Sequence, residues 1–163
     1  MAKLVTGGTG FIGSCLVDEL LERGEEVLVT SRRPTTRWEG ANRKPKIITA
    51  DISNMSELLN VFKGNNVDCV FHLAAMLSLP CEANPWAAFN VNACGTMNVL
   101  EAVRLFDVDR IVMASTGGTF GADIDAPTGG AVGKEAQAGQ RSAVHFKTAD
   151  MGAENRTGSR AGE

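Results

Sequence analysis

The feature that most constrains the fold is a glycine-rich turn near the start of the chain, which reads TGGTGFIG over residues 6–13. It follows a short apolar segment, residues 3–6, and it opens a segment in which leucine and isoleucine recur at helical spacing. Gly7 permits a tight turn, Gly10 leaves room for a phosphate beside the backbone, and Gly13 permits close packing of the helix. A glycine turn between a strand and an amphipathic helix is typical of a dinucleotide-binding βαβ unit.

Backbone amides at the start of this helix supply the binding chemistry. They lack partners inside the helix, and the helix dipole favours an anion beside them. The alternative is a purely structural turn without a ligand. The predicted contacts to the diphosphate of a dinucleotide are Gly7, Gly10, Phe11, Ile12 and Gly13.

Strand and helix patterns alternate up to residue 114. The predicted strands cover residues 3–6, 26–30, 46–49, 68–73 and 110–114, and the predicted helices cover residues 11–23, 85–106 and a segment through residue 62 that Ser53 or Asn54 caps. The strands are continuous apolar runs, which is typical of a parallel sheet covered on both faces. Right-handed crossovers then predict a doubly wound α/β sheet of the Rossmann type, with strand order 3-2-1-4-5.

The end of the second predicted strand bears on the choice of coenzyme. An acidic residue there would bind the ribose 2′-hydroxyl of NAD, but this chain has Ser31, Arg32 and Arg33. Guanidinium groups pair well with a 2′-phosphate. We therefore expect NADP to be favoured over NAD; the alternative is that both arginines are solvated loop charges.

Composition limits the other classes of partner. The formal net charge of −3 gives no positive field for nucleic acid. No apolar run approaches the roughly 18 residues of a membrane span, and no secretory leader pattern opens the chain, so we expect a cytoplasmic protein that binds no membrane. The cysteines and histidines lack the spacing of metal ligands, so no metal site is expected.

The domain organisation follows from a change in composition after residue 121. Residues 1–121 are predicted to form the NAD(P)-binding domain. Residues 122–163 are rich in glycine and alanine, which predicts a weakly structured tail with at most a weak helix over residues 143–155.

Several segments in the same order resemble the extended short-chain dehydrogenase/reductases, the NAD(P)-dependent epimerase/dehydratase family. The glycine turn is similar to TGxxGxxG, HLAA at residues 72–75 to HxAA, residues 90–102 to an NVxGTxNVLEA helix, and residues 110–121 to a fifth strand with its VYG turn. The resemblance covers residues 3–121. It implies a nicotinamide dinucleotide, a small hydroxyl or carbonyl substrate such as a nucleotide sugar, and often a homodimer.

The resemblance also assigns further site residues. It implies adenine contacts for Asp51 and Ile52, and it implies a catalytic hydroxyl for Thr116, which would hold the substrate oxygen. The remaining implied cofactor contacts are Leu73, Ala74, Ala75, Asn92 and Ser115. Alternatives remain open: Asp51 caps a turn, the alanines only pack, and Asn92 bonds nearby backbone.

The family's reaction uses a tyrosine and a lysine in YxxxK spacing, where the lysine lowers the tyrosine pKa. This chain contains no tyrosine. Residues 145–154 resemble the YxxxKxxxE helix, with Phe146 in the tyrosine position and Asp150 in the lysine position. Phenylalanine cannot exchange a proton, so we expect little or no turnover.

Three interpretations of function remain. The first is an NAD(P)-binding domain of an epimerase/dehydratase-type oxidoreductase, catalytically impaired and without the complete C-terminal substrate domain of that family. The second is a non-enzymatic NADP-binding sensor or interaction subunit. The third is an enzyme that receives its missing residues from another chain.

Overall fold

A six-stranded sheet forms the centre of the molecule in the computed structural model, which describes residues 1–115 and 146–150. Its strands are β1 (Ala2–Thr6), β2 (Glu26–Ser31), β3 (Lys46–Thr49), β4 (Val67–His72), β5 (Arg110–Ala114) and β6 (Phe146–Asp150). The order is β3-β2-β1-β4-β5-β6, with the first five strands parallel and β6 antiparallel to β5. The predicted parallel sheet of order 3-2-1-4-5 is therefore confirmed.

Helices cover both faces of the sheet. They are α1 (Phe11–Glu22), α2 (Met55–Lys63), α3 (Ser78–Ala83), α4 (Pro85–Phe89) and α5 (Gly95–Leu105), with a π-helical turn at Asn90–Cys94. Asn54 caps α2, because its Oδ1 accepts hydrogen bonds from the backbone N–H groups of Ser56 and Glu57 at 3.1 and 3.3 Å.

Side chains that alternate along the strands pack into two hydrophobic cores, one on each face of the sheet. Leu4 and Leu28 are fully buried on one face, in a cluster with residues of α2 and α5. Val5 and Val29 are fully buried on the other face, in a cluster with α1. Burial on both faces explains why these strands read as unbroken apolar runs in the sequence.

The predicted helix over residues 85–106 is correct in extent, but it is not one regular helix. The π-helical turn separates α4 from α5, and a wider turn of this kind places one extra residue in the helix. The turn brings the side chain of Asn92 against Met76 and that of Thr96 against His72. Such contacts depend on the tertiary fold, so helical periodicity gave no sign of them.

The predicted helix over residues 143–155 is wrong for residues 146–150, which form β6. The rest of that range lies outside the described residues. The physical reason is the exposed edge of β5, whose unpaired N–H and C=O groups β6 satisfies. The sequence FKTAD carries no strong helical pattern to oppose this pairing.

Within residues 1–115 and 146–150, no helix combines the length and the apolar character that crossing a membrane requires.

Candidate functional site

A cleft of about 470 Å³ opens where β1, β2, β3 and β4 reach their carboxyl ends. Ligands of open α/β sheets bind at this edge, where the strand order reverses. The wall contains many residues that the sequence singled out: Gly7, Gly10, Ser31, Arg32, Arg33, Asp51, Ile52, Leu73, Ala74 and Ala75. It also contains residues that sequence reasoning missed: Thr9, Thr30, Pro34, Thr35, Ala50 and Val91.

The glycine turn is held tightly against its surroundings. Gly7 has φ +72°, and a Cβ there would lie 2.7 Å from the backbone N of Ala74. A Cβ on Gly13 would collide with the carbonyl oxygen of Gly7. Any larger residue at either position would push the turn off β4 or off α1.

The start of α1 is open towards ligand. Gly10 is its N-cap, and within the described residues no side chain caps the free amides of the first turn. The side chains of Phe11 and Ile12 are exposed, and Phe11, Ile12 and Gly13 all lie outside the cleft wall. The predicted contact of these three residues with a diphosphate therefore depends on their backbone N–H groups. This arrangement leaves an uncompensated positive helix end beside Gly10.

A local turn shapes the end of β2. The Ser31 hydroxyl donates to the carbonyl oxygen of Arg33 at 2.7 Å and accepts from the N–H of Arg33 at 3.3 Å. The side chains of Arg32 and Arg33 are exposed on the cleft wall. Neither guanidinium forms an ion pair with a side chain of residues 1–115.

Asp51 lies on the cleft wall and also closes a turn. Its Oδ1 accepts from the backbone N–H and the hydroxyl of Ser53 at 2.9 and 2.7 Å. Its own N–H donates to Glu57 Oε2 at 2.8 Å, which ties the turn to the start of α2. The side chain of Asp51 therefore caps a turn, as the alternative interpretation of this residue expects, and Asp51 also lines the cleft.

His72 is buried beneath the cleft in a chain of hydrogen bonds. Its Nδ1 lies 2.7 Å from Thr6 Oγ1 and its Nε2 lies 2.9 Å from Thr96 Oγ1. The Thr96 hydroxyl donates its one proton to the carbonyl oxygen of Asn92, so Nε2 carries a proton and donates to Thr96. Nδ1 then accepts from Thr6, whose oxygen accepts from the Ala74 N–H at 3.4 Å. Burial lowers the pKa of His72 to about 4, which agrees with a neutral ring.

Two other predicted site residues, Asn92 and Ser115, do not contribute to the cleft wall. Asn92 bonds the backbone of Met76, and Ser115 is exposed after β5. Thr116 lies outside the described residues. Phe146 and Asp150 occupy opposite ends of β6, roughly 13 Å apart at strand spacing, so they do not share one face of a helix as the YxxxK reading expected.

The burial of Trp38, which follows the cleft residues 30–35 in sequence, was not predictable from its local sequence. Trp38 lies in a segment that reads as a polar loop, yet it is 7% exposed and packs in the core beside α1. Its Nε1 donates to Asp18 Oδ1 at 2.7 Å. This contact anchors the segment that follows the arginines of the cleft.

In the part of the chain that the structure describes, no three His, Cys, Asp or Glu side chains are arranged to hold a metal ion.

Comparison with known families and proteins identifies the family of this chain. The profile of the NAD dependent epimerase/dehydratase family matches residues 3–142. The chain is 40% identical over 118 residues to a putative UDP-glucose 4-epimerase of Methanocaldococcus jannaschii, covering 71% of this chain and 38% of that protein. It is 37% identical over 131 residues to the UDP-glucose 4-epimerase of Streptococcus mutans, covering 78% and 39%. The chain belongs to the NAD dependent epimerase/dehydratase family, and it spans less than half the length of these relatives.

Solved structures agree with this membership. The UDP-glucose 4-epimerase of Thermotoga maritima, solved with UDP-glucose, superposes with a TM-score of 0.65 at 34% identity, covering 72% of this chain and 38% of that one. The Thermus thermophilus enzyme, solved with NAD, gives 0.58 at 33% identity, covering 68% and 36%. The Bifidobacterium longum enzyme, solved with NAD⁺ and UDP, gives 0.68 at 26% identity, covering 74% and 38%.

Proposed function

We propose that this chain binds a nicotinamide dinucleotide along the cleft, with the diphosphate on the amides at the start of α1. The observation that carries the proposal is the uncapped N-terminus of α1 behind Gly10, beside a cleft lined by the ends of four parallel strands. Backbone N–H groups and the helix dipole act together on an anion there. Relatives solved with NAD support the same ligand class.

NADP is the preferred coenzyme in this proposal. The cleft wall at the end of β2 carries Arg32 and Arg33, with Ser31 where an acidic residue would select the ribose 2′-hydroxyl. Two exposed guanidinium groups suit a 2′-phosphate, because each can donate two parallel hydrogen bonds to it. The relatives named above were solved with NAD, so the support for this preference comes from Ser31, Arg32 and Arg33 of the present sequence alone.

Calorimetric titration of the 163-residue chain with NADP and with NAD tests both statements. The proposal predicts saturable binding of one dinucleotide per chain and a lower Kd for NADP. Tighter binding of NAD would refute the preference alone. Absence of binding by either coenzyme, with circular dichroism reporting folded protein, would refute the site.

We also propose that this chain alone does not carry out the family's proton transfer. Its 163 residues include no tyrosine, the residue that the family resemblance implies as the acid or base beside the reacting carbonyl. Loss of one such group removes about 10²–10⁴-fold of rate. The chain then acts as a dinucleotide-binding unit, either impaired in catalysis or serving as a sensor or interaction subunit.

A nucleotide sugar is the proposed second ligand, on the strength of the UDP-glucose 4-epimerases among the relatives. Turnover assays with UDP-glucose and either coenzyme are expected to give no product above the uncatalysed rate. Robust epimerisation by the purified chain would contradict the proposed impairment. A coenzyme response without turnover, measured as a change in protease susceptibility, would favour the sensor.

A homodimer is proposed as the assembly state. Exposed apolar side chains along α4 and α5 support it, namely Trp86, Phe89, Met97 and Leu105. Sedimentation equilibrium should return twice the 17.2 kDa chain mass. A monomer at all concentrations would refute it.

A further inference from the structure

The connection between β2 and β3 is a long segment without a helix. Residues 32–45 belong to no helix or strand, although neighbouring parallel strands are usually joined through a helix. The segment begins with Arg32 and Arg33 on the cleft wall, and Pro34 and Thr35 follow them there. A long loop of this kind holds side chains ready for a ligand only where contacts with the rest of the fold fix it. The attachment of this segment therefore determines how firmly the two arginines are placed.

Trp38 attaches the segment to α1. Its indole is 7% exposed and belongs to the same core cluster as Val17 and Leu21 of that helix. Its Nε1 donates a hydrogen bond to Asp18 Oδ1 at 2.7 Å. The other carboxylate oxygen, Asp18 Oδ2, lies 3.3 Å from Arg37 Nη2, in an exposed ion pair that contributes little by itself. Apolar packing and one directed hydrogen bond therefore fix the position of the indole.

The arginines lie between two fixed points of the chain. On one side Ser31 ends β2, and its hydroxyl bonds the backbone of Arg33 at 2.7 and 3.3 Å. On the other side only residues 34–37 separate Arg33 from Trp38, a stretch that spans at most about 18 Å when fully extended. Arg43 attaches the segment further along, because its Nη1 donates to a carbonyl oxygen of α1 at 2.9 Å. Release of the indole would therefore extend the free stretch after Arg33 from residue 38 to residue 43.

We propose that Trp38 and Asp18 are positioning residues for coenzyme selection, because their hydrogen bond holds the segment that carries Arg32 and Arg33 on the cleft wall. The inference rests on the proposed dinucleotide site and on its preference for NADP. A guanidinium that is already in place loses less conformational freedom when it binds a phosphate, so an anchored segment binds a 2′-phosphate more tightly than a loose one. NAD lacks this phosphate, so the anchor contributes little to its affinity.

Backbone ¹⁵N relaxation of the coenzyme-free chain tests the anchoring directly. In Asp18→Ala and in Trp38→Phe, the order parameters of amides 32–33 are expected to fall below about 0.6, from wild-type values nearer about 0.85. Asp18→Asn keeps an oxygen that accepts from the indole and should retain the wild-type values. Glu19→Ala is the matched control, because it removes the neighbouring carboxylate of α1, which pairs within that helix rather than with Trp38.

Two coenzymes then separate positioning from general damage to the fold. Calorimetric titration of Asp18→Ala and Trp38→Phe with NADP should give Kd values about three- to tenfold above wild type, while the Kd for NAD stays within about twofold. Asp18→Asn and Glu19→Ala should leave both Kd values within about twofold, which excludes the lost charge as the cause. Equal weakening of both coenzymes, an unchanged Kd for NADP, or unchanged order parameters in Asp18→Ala would overturn the inference.

Failure of the proposed function gives a different result. If the folded wild-type chain binds neither coenzyme, the dinucleotide site is refuted and the inference falls with it. If the wild-type chain prefers NADP and the Asp18→Ala and Trp38→Phe variants keep the full preference, only the inference is refuted.

Discussion

Thr6 and His72 face each other across the β1–β4 pair, with Thr6 Oγ1 2.7 Å from His72 Nδ1. Thr6 is the last residue before the glycine turn, and His72 is the last residue before the opposite wall of the cleft. The bond therefore joins the two backbone segments that line the cleft on either side. Because His72 is buried and both ring nitrogens are engaged, its protonation state is coupled to the integrity of this junction.

Stability should fall as the pH drops from about 6.5 to about 4, since burial lowers the pKa of His72 from 6.5 to about 4. Within that window the unfolded chain takes up a proton that the folded chain refuses, so the free energy of unfolding decreases with decreasing pH. The loss from this group is at most about 3.4 kcal/mol, and it becomes negligible once the pH is well above 6.5. Urea unfolding at stepped pH values measures it.

His72→Gln isolates this contribution from that of the carboxylates. The variant is expected to be less stable than wild type at pH 7.5, and the difference between them should shrink as the pH approaches 4. A difference that stays constant across the window would show that His72 does not titrate with a lowered pKa.

The glycine turn predicts different outcomes at two of its positions. A Cβ on Gly10 would meet only the Gly7 carbonyl oxygen, at 3.2 Å, and φ of Gly10 is an ordinary −76°. Gly10→Ala should therefore cost less than about 1 kcal/mol of stability but weaken NADPH binding at least about tenfold, because the methyl group would occupy the proposed diphosphate site. Gly13→Ala should cost about 1–3 kcal/mol, because its Cβ collides with Gly7. Urea unfolding and NADPH titration of both variants distinguish a binding defect from a packing defect.

Charge at the end of β2 should select the coenzyme. The double variant Arg32→Ala with Arg33→Ala is expected to lose about tenfold or more in NADP affinity while NAD affinity stays within about twofold. Arg37→Ala is the matched control, because Arg37 lies in the same segment but pairs with Asp18 at 3.3 Å. Parallel losses for NADP and NAD in the double variant would argue against 2′-phosphate recognition.

The two tryptophans should differ in their effect on stability. Trp38 is buried and hydrogen-bonded to Asp18, whereas Trp86 is 72% exposed. Trp38→Phe should lower the free energy of unfolding by about 1–2 kcal/mol, and Trp86→Phe by less than about 0.5 kcal/mol. Fluorescence gives a second check, since the emission of Trp86→Phe, from buried Trp38, should lie at shorter wavelength than that of Trp38→Phe.

The strand order and the cleft wall were predictable from the sequence because local patterns determine them. Unbroken apolar strands demand cover on both faces, and the glycine turn at residues 6–13 has few structural uses other than a close backbone approach. Arg32 and Arg33 fall on the cleft wall because the carboxyl end of every parallel strand lies at the same edge.

The features that escaped prediction depend on partners distant in sequence. The π-helical turn forms where Asn92 and Thr96 meet Met76 and His72, and no periodicity encodes that meeting. Trp38 appears in a polar segment, and only its contact with α1 buries it. Strand β6 forms where a helix was expected, because the edge of β5 supplies backbone hydrogen-bond partners. The sequence pattern of residues 146–150 contains no information about these partners.

The uncapped amides at the start of α1 are the proposed binding site for the diphosphate of a dinucleotide. Titration of ¹⁵N-labelled chain with NADPH, followed by amide chemical shifts, tests it at those atoms. We expect saturable shifts at Gly10, Phe11, Ile12 and Gly13, with the same midpoint as the calorimetric titration. Saturable binding that leaves these four amides unmoved, or no binding by folded protein, would contradict it.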